Sequence, residues 1–440
     1  MNSPDVTLNL KLQAIGKYPV IREIGSGATS RVFLARDPFA DRDVAIKVLQ
    51  FQGGDPEAEQ VMHKAFVAEA SLAGKLNHPH IVDIYDAVVE PDRSYLVMEY
   101  VPGDTLDGYV DAGSLLPVRK VVEIIFKCIR ALEYAQQHGV IHRDIKPGNI
   151  MLSRSGETKV GDFGASFQQR LEAETTQITG IGSPAYMSPE QIRQEPLSQQ
   201  TDIYSLGVTM FRLLTGRLPF EAGSSAALTY AILNTPAPKP SQYRPDLPPL
   251  LDQIVLKAIE KEPAKRYRSW LEFGKDITQA FMQLRLSDTA SGEPASDSEK
   301  FGRLREVPFF RDFGEVELWE VVRIAGWKVV PPGTVLLKEN EESDSFFLLV
   351  EGDAEVSLLG KPLVTMKPGG CFGNILYFAD REEKRSTTVT ATGTARVTVI
   401  EVQADTLRKA TPACQVGFNK SFMRVLVERI AAMSRQLAER

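Results

Sequence analysis

Residues 140–149 read Val140-Ile141-His142-Arg143-Asp144-Ile145-Lys146-Pro147-Gly148-Asn149, and the rest of the 440-residue chain is organised around them. This short segment carries an acid at Asp144, a cation two residues later at Lys146, and an amide five residues later at Asn149. A second acid follows eighteen residues after the first, in Asp162-Phe163-Gly164. Oxygen donors grouped around a lysine suit phosphoryl transfer, in which Mg²⁺ and a fixed cation neutralise the transferring group.

The ordered set His-Arg-Asp, Lys, Asn and then Asp-Phe-Gly resembles the catalytic core of Ser/Thr protein kinases, in particular the bacterial eukaryotic-like group. The resemblance implies an α+β fold with the two lobes of a protein kinase, and transfer of the γ-phosphate of ATP to Ser/Thr residues of protein substrates. It implies that Asp144 accepts the proton of the substrate hydroxyl and that Lys146 neutralises the γ-phosphate. Asn149 and Asp162 would then hold Mg²⁺.

Three strands are predicted before this core, at Tyr18–Ile24, Arg31–Ala35 and Val44–Leu49, and a glycine-containing turn lies between the first two. Gly25-Ser26-Gly27 would let the backbone approach phosphate closely, although a GxG between strands also describes an ordinary hairpin turn. The phosphate-binding interpretation is favoured by Lys47, which ends the apolar strand Val44-Ala45-Ile46-Lys47. The resemblance assigns the nucleotide contacts to Ile24, Gly25, Ser26, Gly27, Val32, Ala45, Lys47, Met98, Glu99 and Val101.

Helices are predicted before and after residues 140–149. Residues 57–76 predict a helix, and the resemblance identifies Glu69 within it as the carboxylate that pairs with Lys47. A second helix is predicted at Val118–His138, with Gly139 placed to end it. A third is predicted at Asp202–Leu214, with Asp202 as its N-cap. The resemblance adds that Asp202 braces the backbone of the catalytic loop.

The segment 164–190 resembles a kinase activation segment and ends in Gly182-Ser183-Pro184-Ala185-Tyr186-Met187-Ser188-Pro189-Glu190. By the same resemblance, Glu190 pairs with Arg266. Arg143 stands directly before the catalytic acid, where a phosphorylated loop residue could satisfy its charge. Thr175, Thr176 and Thr179 are the candidate phosphorylation sites, the alternative being that they are simply polar loop residues. No catalytic group of the family is missing, which argues against a pseudokinase.

The C-terminal third changes character. We predict a kinase domain at 18–284, a polar flexible linker at 285–300 and a regulatory domain at 301–440. Leu304–Trp327 predicts helix, and six short strands with turns rich in Gly, Pro, Asn and Asp follow. The predicted strands are Val335–Leu337, Ser345–Val350, Ala354–Leu359, Leu363–Met366, Thr387–Ala391 and Ala395–Val402. This spacing predicts a small β-barrel or jelly roll.

The turn glycines of this region, in Pro332-Gly333, Gly352-Asp353, Gly369-Gly370 and Phe372-Gly373, resemble the pattern of cyclic nucleotide-binding domains. That family reads Phe-Gly-Glu, a short segment, then Arg before small residues. Here Gly373 is followed by Asn374 instead of the acid, and Arg385 and Ser386 come after a charged stretch. The resemblance implies cAMP or cGMP as a regulator bound at these four residues. The competing interpretation is a degenerate barrel that serves dimerisation or protein interaction, in a chain that is an ATP-binding scaffold.

Net charge, cysteine number and the lengths of apolar runs limit the partners and the location that we expect for this chain. A net charge of −6 gives no reason to expect a nucleic-acid partner. Three separated cysteines predict ordinary thiols in a reducing cytoplasm, and no apolar run predicts a membrane span. A last helix is predicted at Val416–Leu437, with an apolar stripe at Phe418, Phe422, Leu426, Ile430, Met433 and Leu437. The stripe either packs on the barrel or forms a homodimer contact.

Overall fold

The fold is taken from a computed structural model, which describes residues 14–26, 30–49, 70, 74–90, 93–163, 184–287, 297–342, 344–373, 384–393 and 396–438. The chain divides into two compact units, residues 1–291 and 292–440. Each unit is described by itself.

The first unit begins with a six-stranded antiparallel sheet in the order β1-β2-β3-β4-β6-β5. Its strands are β1 Ala14–Ile15, β2 Tyr18–Ser26, β3 Ser30–Asp37, β4 Arg42–Leu49, β5 Ile84–Val89 and β6 Ser94–Glu99. Alternate residues of the central strands face the core, where Phe33, Ile46 and Val97 are buried, because successive side chains of a strand point to opposite faces. The strands predicted at 18–24, 31–35 and 44–49 are confirmed.

A mainly helical region follows, joined to a small sheet in the order β7-β8-β9. The strands of that sheet are β7 Gly103–Thr105, β8 Ile150–Ser153 and β9 Thr158–Val160. The helices of this region are α1 Val118–Gln137, α2 Pro189–Ile192, α3 Gln199–Thr215, α4 Ser225–Asn234, α5 Pro249–Ala258 and α6 Trp270–Ser287. The prediction for α1 is confirmed to within one residue. Gly139 lies just beyond α1 with a φ of 77°, the left-handed conformation that ends helices and that glycine adopts without strain.

The start of α3 corrects one prediction. The helix begins at Gln199 with Ser198 as its N-cap, so the assignment of Asp202 as the N-cap is wrong. Ser198 forms a capping box with Thr201, which satisfies the first free N–H groups of the helix. Asp202 therefore lies inside the first turn, where its buried carboxylate is available to a different partner.

The second unit is a two-sheet jelly roll flanked by helices, as predicted. One sheet has the order β10-β17-β12-β15 and the other β11-β16-β13-β14. The strands are β10 Gly326–Val330, β11 Val335–Leu337, β12 Ser345–Glu351, β13 Asp353–Leu358, β14 Lys361–Met366, β15 Cys371–Phe372, β16 Thr388–Thr392 and β17 Val397–Gln403. Leu349, Val389 and Val399 are fully buried between the sheets.

The helices of this unit are α7 Asp297–Glu306, α8 Glu315–Ile324, α9 Ala404–Arg408 and α10 Pro412–Ala438. The continuous helix predicted at 304–327 is wrong, because α7 ends at Glu306 and Trp327 belongs to β10. The linker predicted at 285–300 is also too long at both ends. α6 continues to Ser287, and α7 starts at Asp297 and stacks its buried Phe301 on Trp319 with ring centroids 4.4 Å apart.

The first half of α10 packs on the second unit through buried aromatic side chains. Phe418 and Phe422 are fully buried against Phe309 and Phe346. Further along, Ile430 is 62% exposed, so the core-packing alternative does not account for the whole stripe. Among the helices that the structure describes, none is both long and apolar enough to cross a membrane.

Candidate active site

The loop between α1 and β8 forms a tight group of polar side chains around Asp144. Lys146 donates a hydrogen bond of 2.6 Å from Nζ to Asp144 Oδ2. Asn149 donates from Nδ2 to the same oxygen at 2.9 Å and to the Asp144 carbonyl at 2.7 Å. Asp144 is only 8% exposed, so these contacts fix the direction of its carboxylate. The spacing that the sequence suggested thus produces one connected cluster.

The carboxylate of Asp202 holds the backbone of this loop through hydrogen bonds. Its carboxylate accepts hydrogen bonds from the N–H groups of His142 at 2.8 Å and Arg143 at 2.7 Å. Arg143 has a φ of 69°, a left-handed conformation that is unfavourable for a residue other than glycine. The two bonds from a buried acid keep the loop in that conformation. Burial raises the pKa of Asp202, and these hydrogen bonds and nearby cations only partly offset the effect.

A second acid joins the site from the strand that follows. Asp162 lies just after β9 with a φ of 62° and forms an ion pair with Lys47 of β4. Burial disfavours the charged carboxylate, but the charge and hydrogen bond of Lys47, together with the charge of Lys146, outweigh burial and lower the pKa of Asp162. The acid therefore stays ionised in the neutral range and is a suitable ligand for a divalent cation.

The predicted nucleotide residues line the neighbouring sheet. Ala45 is paired with Met98 across β4 and β6, and Gly25 is paired with Val32 across β2 and β3. Ile24 and Ser26 lie on β2, and Val101 is buried just after β6. The described residues of this set therefore belong to the sheet that contains Lys47, or to the chain directly after its strand β6.

Several predicted residues lie outside the described part of the chain. These are Gly27 of the glycine turn, Glu69, the three threonines Thr175, Thr176 and Thr179, and Asn374. The pairing of Glu69 with Lys47 therefore stays a prediction.

The sequence did not reveal two further contributors. His142 of the catalytic loop contacts the residues on both sides of Asp162. Its Nε2 lies 2.8 Å from the Gly161 carbonyl, and the centroid of its ring lies 4.6 Å from that of Phe163. Lys159 of β9 donates to Glu99 Oε2 at 2.8 Å and so links the strand before Asp162 to the end of β6. No spacing rule indicates such contacts, since the partners lie 19 and 60 residues apart.

The donor set fits magnesium. Asp162 supplies a carboxylate and Asn149 an amide oxygen, both of the hard oxygen type that Mg²⁺ prefers, and Lys47 supplies a fixed cation for phosphate. A Mg²⁺ ion bound there would neutralise phosphate oxygens.

The second unit holds the other predicted site. Arg385 is only 4% exposed and donates from Nη1 to the Gly373 carbonyl at 2.9 Å and from Nη2 to the Ser345 carbonyl. Gly373 has a φ of 77°, and a Cβ there would stand 2.5 Å from Arg385 Nη1, so glycine is required. Burial lowers the pKa of Arg385. A guanidinium has five N–H donors, so some remain for an anion, and Ser386 beside it is exposed.

Comparison with known proteins adds two family matches. The protein kinase domain model matches residues 18–276, which is more than half of the chain. The cyclic nucleotide-binding domain model matches residues 327–410.

Curated serine/threonine-protein kinases also match the chain. The serine/threonine-protein kinase PrkC of Bacillus subtilis is 38% identical over 273 residues, which are 62% of this chain and 42% of that protein. The serine/threonine-protein kinase PknB of Mycolicibacterium smegmatis is 39% identical over 322 residues, 71% of this chain and 50% of that protein. The chain thus spans about half the length of the curated relatives it matches.

Proposed function

The chain belongs to the protein kinase family, and we propose that it transfers the γ-phosphate of ATP to serine and threonine residues of proteins. The observation that carries this proposal is the convergence of Asp144, Lys146, Asn149, Asp162 and Lys47 from three separate segments onto two contact groups. The relatives named as serine/threonine-protein kinases support the same acceptor class.

The proposed mechanism is one of positioning and electrostatic stabilisation. Asp144 orients the acceptor hydroxyl and accepts its proton at a carboxylate oxygen. Lys146, 2.6 Å from that carboxylate, neutralises the transferring group. Lys47 and Asp162 are already paired, and in the ATP complex their charges would be shared with phosphate and Mg²⁺. No covalent intermediate on the protein is required.

A labelling experiment tests the proposal. The purified chain with Mg²⁺ and γ-labelled ATP is expected to label a general protein substrate on serine or threonine. Lys47→Met should reduce labelling by at least about 100-fold, because a fixed cation is lost from the phosphate site. The exposed Lys239→Met is the matched control and should label normally. Nucleotide binding without label on any protein would favour the scaffold alternative.

Regulation by the activation segment is part of the proposal. The basis is the position of Arg143, whose backbone is fixed by Asp202 and whose carbonyl accepts a 2.8 Å hydrogen bond from Gln191. A phosphate on Thr175, Thr176 or Thr179 would bring charge toward this arginine. Mass spectrometry of the autophosphorylated chain tests this, and phosphate on none of the three threonines contradicts it.

We also propose that the barrel of the second unit binds cAMP or cGMP and that binding alters kinase activity. The family match and the buried guanidinium of Arg385 support this. A ligand can regulate only if it favours one state of the protein over another, so binding must change the labelling rate.

Calorimetric titration of the full-length chain with each nucleotide tests the site. Arg385→Lys is expected to weaken binding at least about tenfold, because an ammonium cannot bridge the carbonyls of Gly373 and Ser345 while meeting a phosphate. Lys384→Gln removes a neighbouring, largely exposed charge and should bind normally. Equal affinity of the wild type and Arg385→Lys would exclude Arg385 as the phosphate contact, and no binding of either nucleotide would leave the interaction module as the better interpretation.

The remaining partner proposal is a homodimer through α10, in a protein that works in the cytoplasm. Met423, Val427 and Ile430 are 60–62% exposed and recur every three or four residues, which places them on one helix face. The three cysteines are unpaired and buried, as expected in a reducing compartment. Light scattering should give twice the monomer mass for the wild type and the monomer mass for Val427→Glu. A monomeric wild type would exclude the dimer contact through α10. Recovery of the protein in the membrane fraction of cells would exclude the cytoplasmic location.

A further inference from the structure

Arg212 is a basic residue in the last turn of α3. Within the described ranges, no carboxylate lies in salt-bridge distance of it. Its side chain donates to the hydroxyl of Tyr186, and its buried Nε has no hydrogen-bond partner there. A buried charged donor without an acceptor is unfavourable, and native proteins seldom keep one unless something else binds it. The guanidinium is therefore a candidate anion site.

The position of this site is beside the catalytic loop. Tyr186 belongs to the short turn Pro184–Tyr186, which packs on α3 and whose carbonyl accepts a 2.8 Å bond from Ser205. Asp107 acts electrostatically on Tyr186 and lies against Gly148, where a Cβ would stand 2.6 Å from its carboxylate. Gly148 directly precedes Asn149, which binds Asp144.

That series of neighbours connects Arg212 to the loop that carries the catalytic acid through Tyr186 and Asp107. Asp107 is an exposed acid that acts on the same tyrosine, so water and salt screen its charge. Arg212 presents partly buried donors, for which a charged partner counts more than at an open surface.

We propose that Arg212, with the hydroxyl of Tyr186, binds an acidic side chain of the protein substrate a few residues from the phosphorylated serine or threonine. This deepens the proposed kinase function and rests on it. Arg212 acts as a specificity residue: its guanidinium donates to a carboxylate, or to a phosphate already present on the substrate. The structural alternative is that Arg212 only offsets the negative end of the α3 dipole.

Positional peptide scanning with the full-length chain separates these roles. Peptides with a fixed threonine acceptor carry Asp, Lys or Ala at one neighbouring position at a time, and kcat/KM is measured for each. The wild type should prefer Asp over Lys at one position by about tenfold or more, because one charge-assisted hydrogen bond is at stake. Arg212→Glu should reverse the preference at that position, and Arg212→Lys should keep much of it.

The ratio of rates on two peptides is internal to each variant, so a partly destabilised variant still reports on selectivity. Arg268→Gln removes an exposed arginine of the same lobe and should leave the ratio unchanged. An equal ratio in the wild type and in Arg212→Glu overturns the assignment. A chain that labels peptides without this preference refutes the Arg212 site alone, whereas a chain that labels no peptide refutes the kinase function as well.

Discussion

Replacing Asp144 by asparagine is expected to slow phosphate transfer by about 10²–10⁴-fold while ATP affinity stays near that of the wild type. Asparagine matches aspartate in shape, so the contacts with Lys146 and Asn149 change little in geometry. What is lost is the negative charge that accepts the proton of the acceptor hydroxyl. Lys47 and Asp162, the proposed phosphate and metal groups, form a separate pair and are untouched.

Steady-state labelling gives kcat, and calorimetry with a non-hydrolysable ATP analogue gives affinity. Asp246→Asn removes a carboxylate that is 68% exposed and serves as the matched control. A change in affinity that tracks the fall in kcat would show that Asp144 acts through nucleotide binding. Equal labelling by the wild type and Asp144→Asn would exclude Asp144 as the catalytic base.

Breaking the buried pair between Glu190 and Arg266 should cause a large loss of stability. Both side chains are almost completely buried, and two parallel hydrogen bonds of 2.7 and 2.8 Å join them. Arg266 also donates to the carbonyls of Glu260 and Gln200 at 2.7 and 2.8 Å. Glu190→Gln leaves a buried guanidinium without its counter-charge, which should lower the free energy of unfolding by about 3–5 kcal/mol.

The neighbouring surface pair provides the control. Glu262 and Lys265 are 2.8 Å apart but more than 60% exposed, so Glu262→Gln should change the free energy of unfolding by less than about 0.5 kcal/mol. Denaturant midpoints of the three proteins measure both effects. Similar midpoints for Glu190→Gln and Glu262→Gln would mean that water reaches the buried pair.

The same pair should make the protein sensitive to acid. Burial opposes the charged form of Glu190, but hydrogen bonds and the charge of Arg266 outweigh burial, so the pKa of Glu190 is lowered. A carboxyl whose pKa is lower in the folded state stabilises the fold above its ordinary pKa of 4.5. That contribution should disappear as the pH falls below 4.5, and the difference in midpoint between wild type and Glu190→Gln should shrink with it.

Local sequence alone determined much of this protein. Gly139 ends α1 because only glycine enters the left-handed region without strain, and the apolar spacing of α1 follows from the helical repeat. The alternating strands of the second unit predict a jelly roll because a sheet buries one face. Asp144, Lys146 and Asn149 lie within six residues, so their grouping required only a loop.

Tertiary structure decided what depends on distant partners. Asp202 resembles a helix cap by sequence, but it is drawn into the first turn of α3 to hold the N–H groups of His142 and Arg143. β10 became a strand because β17, about 70 residues later, offers it a full antiparallel partner. No sequence pattern identifies Arg212, because the groups that surround its side chain are known only from the folded chain. Local propensities extend over a few residues, whereas burial and pairing depend on which segments the fold brings together.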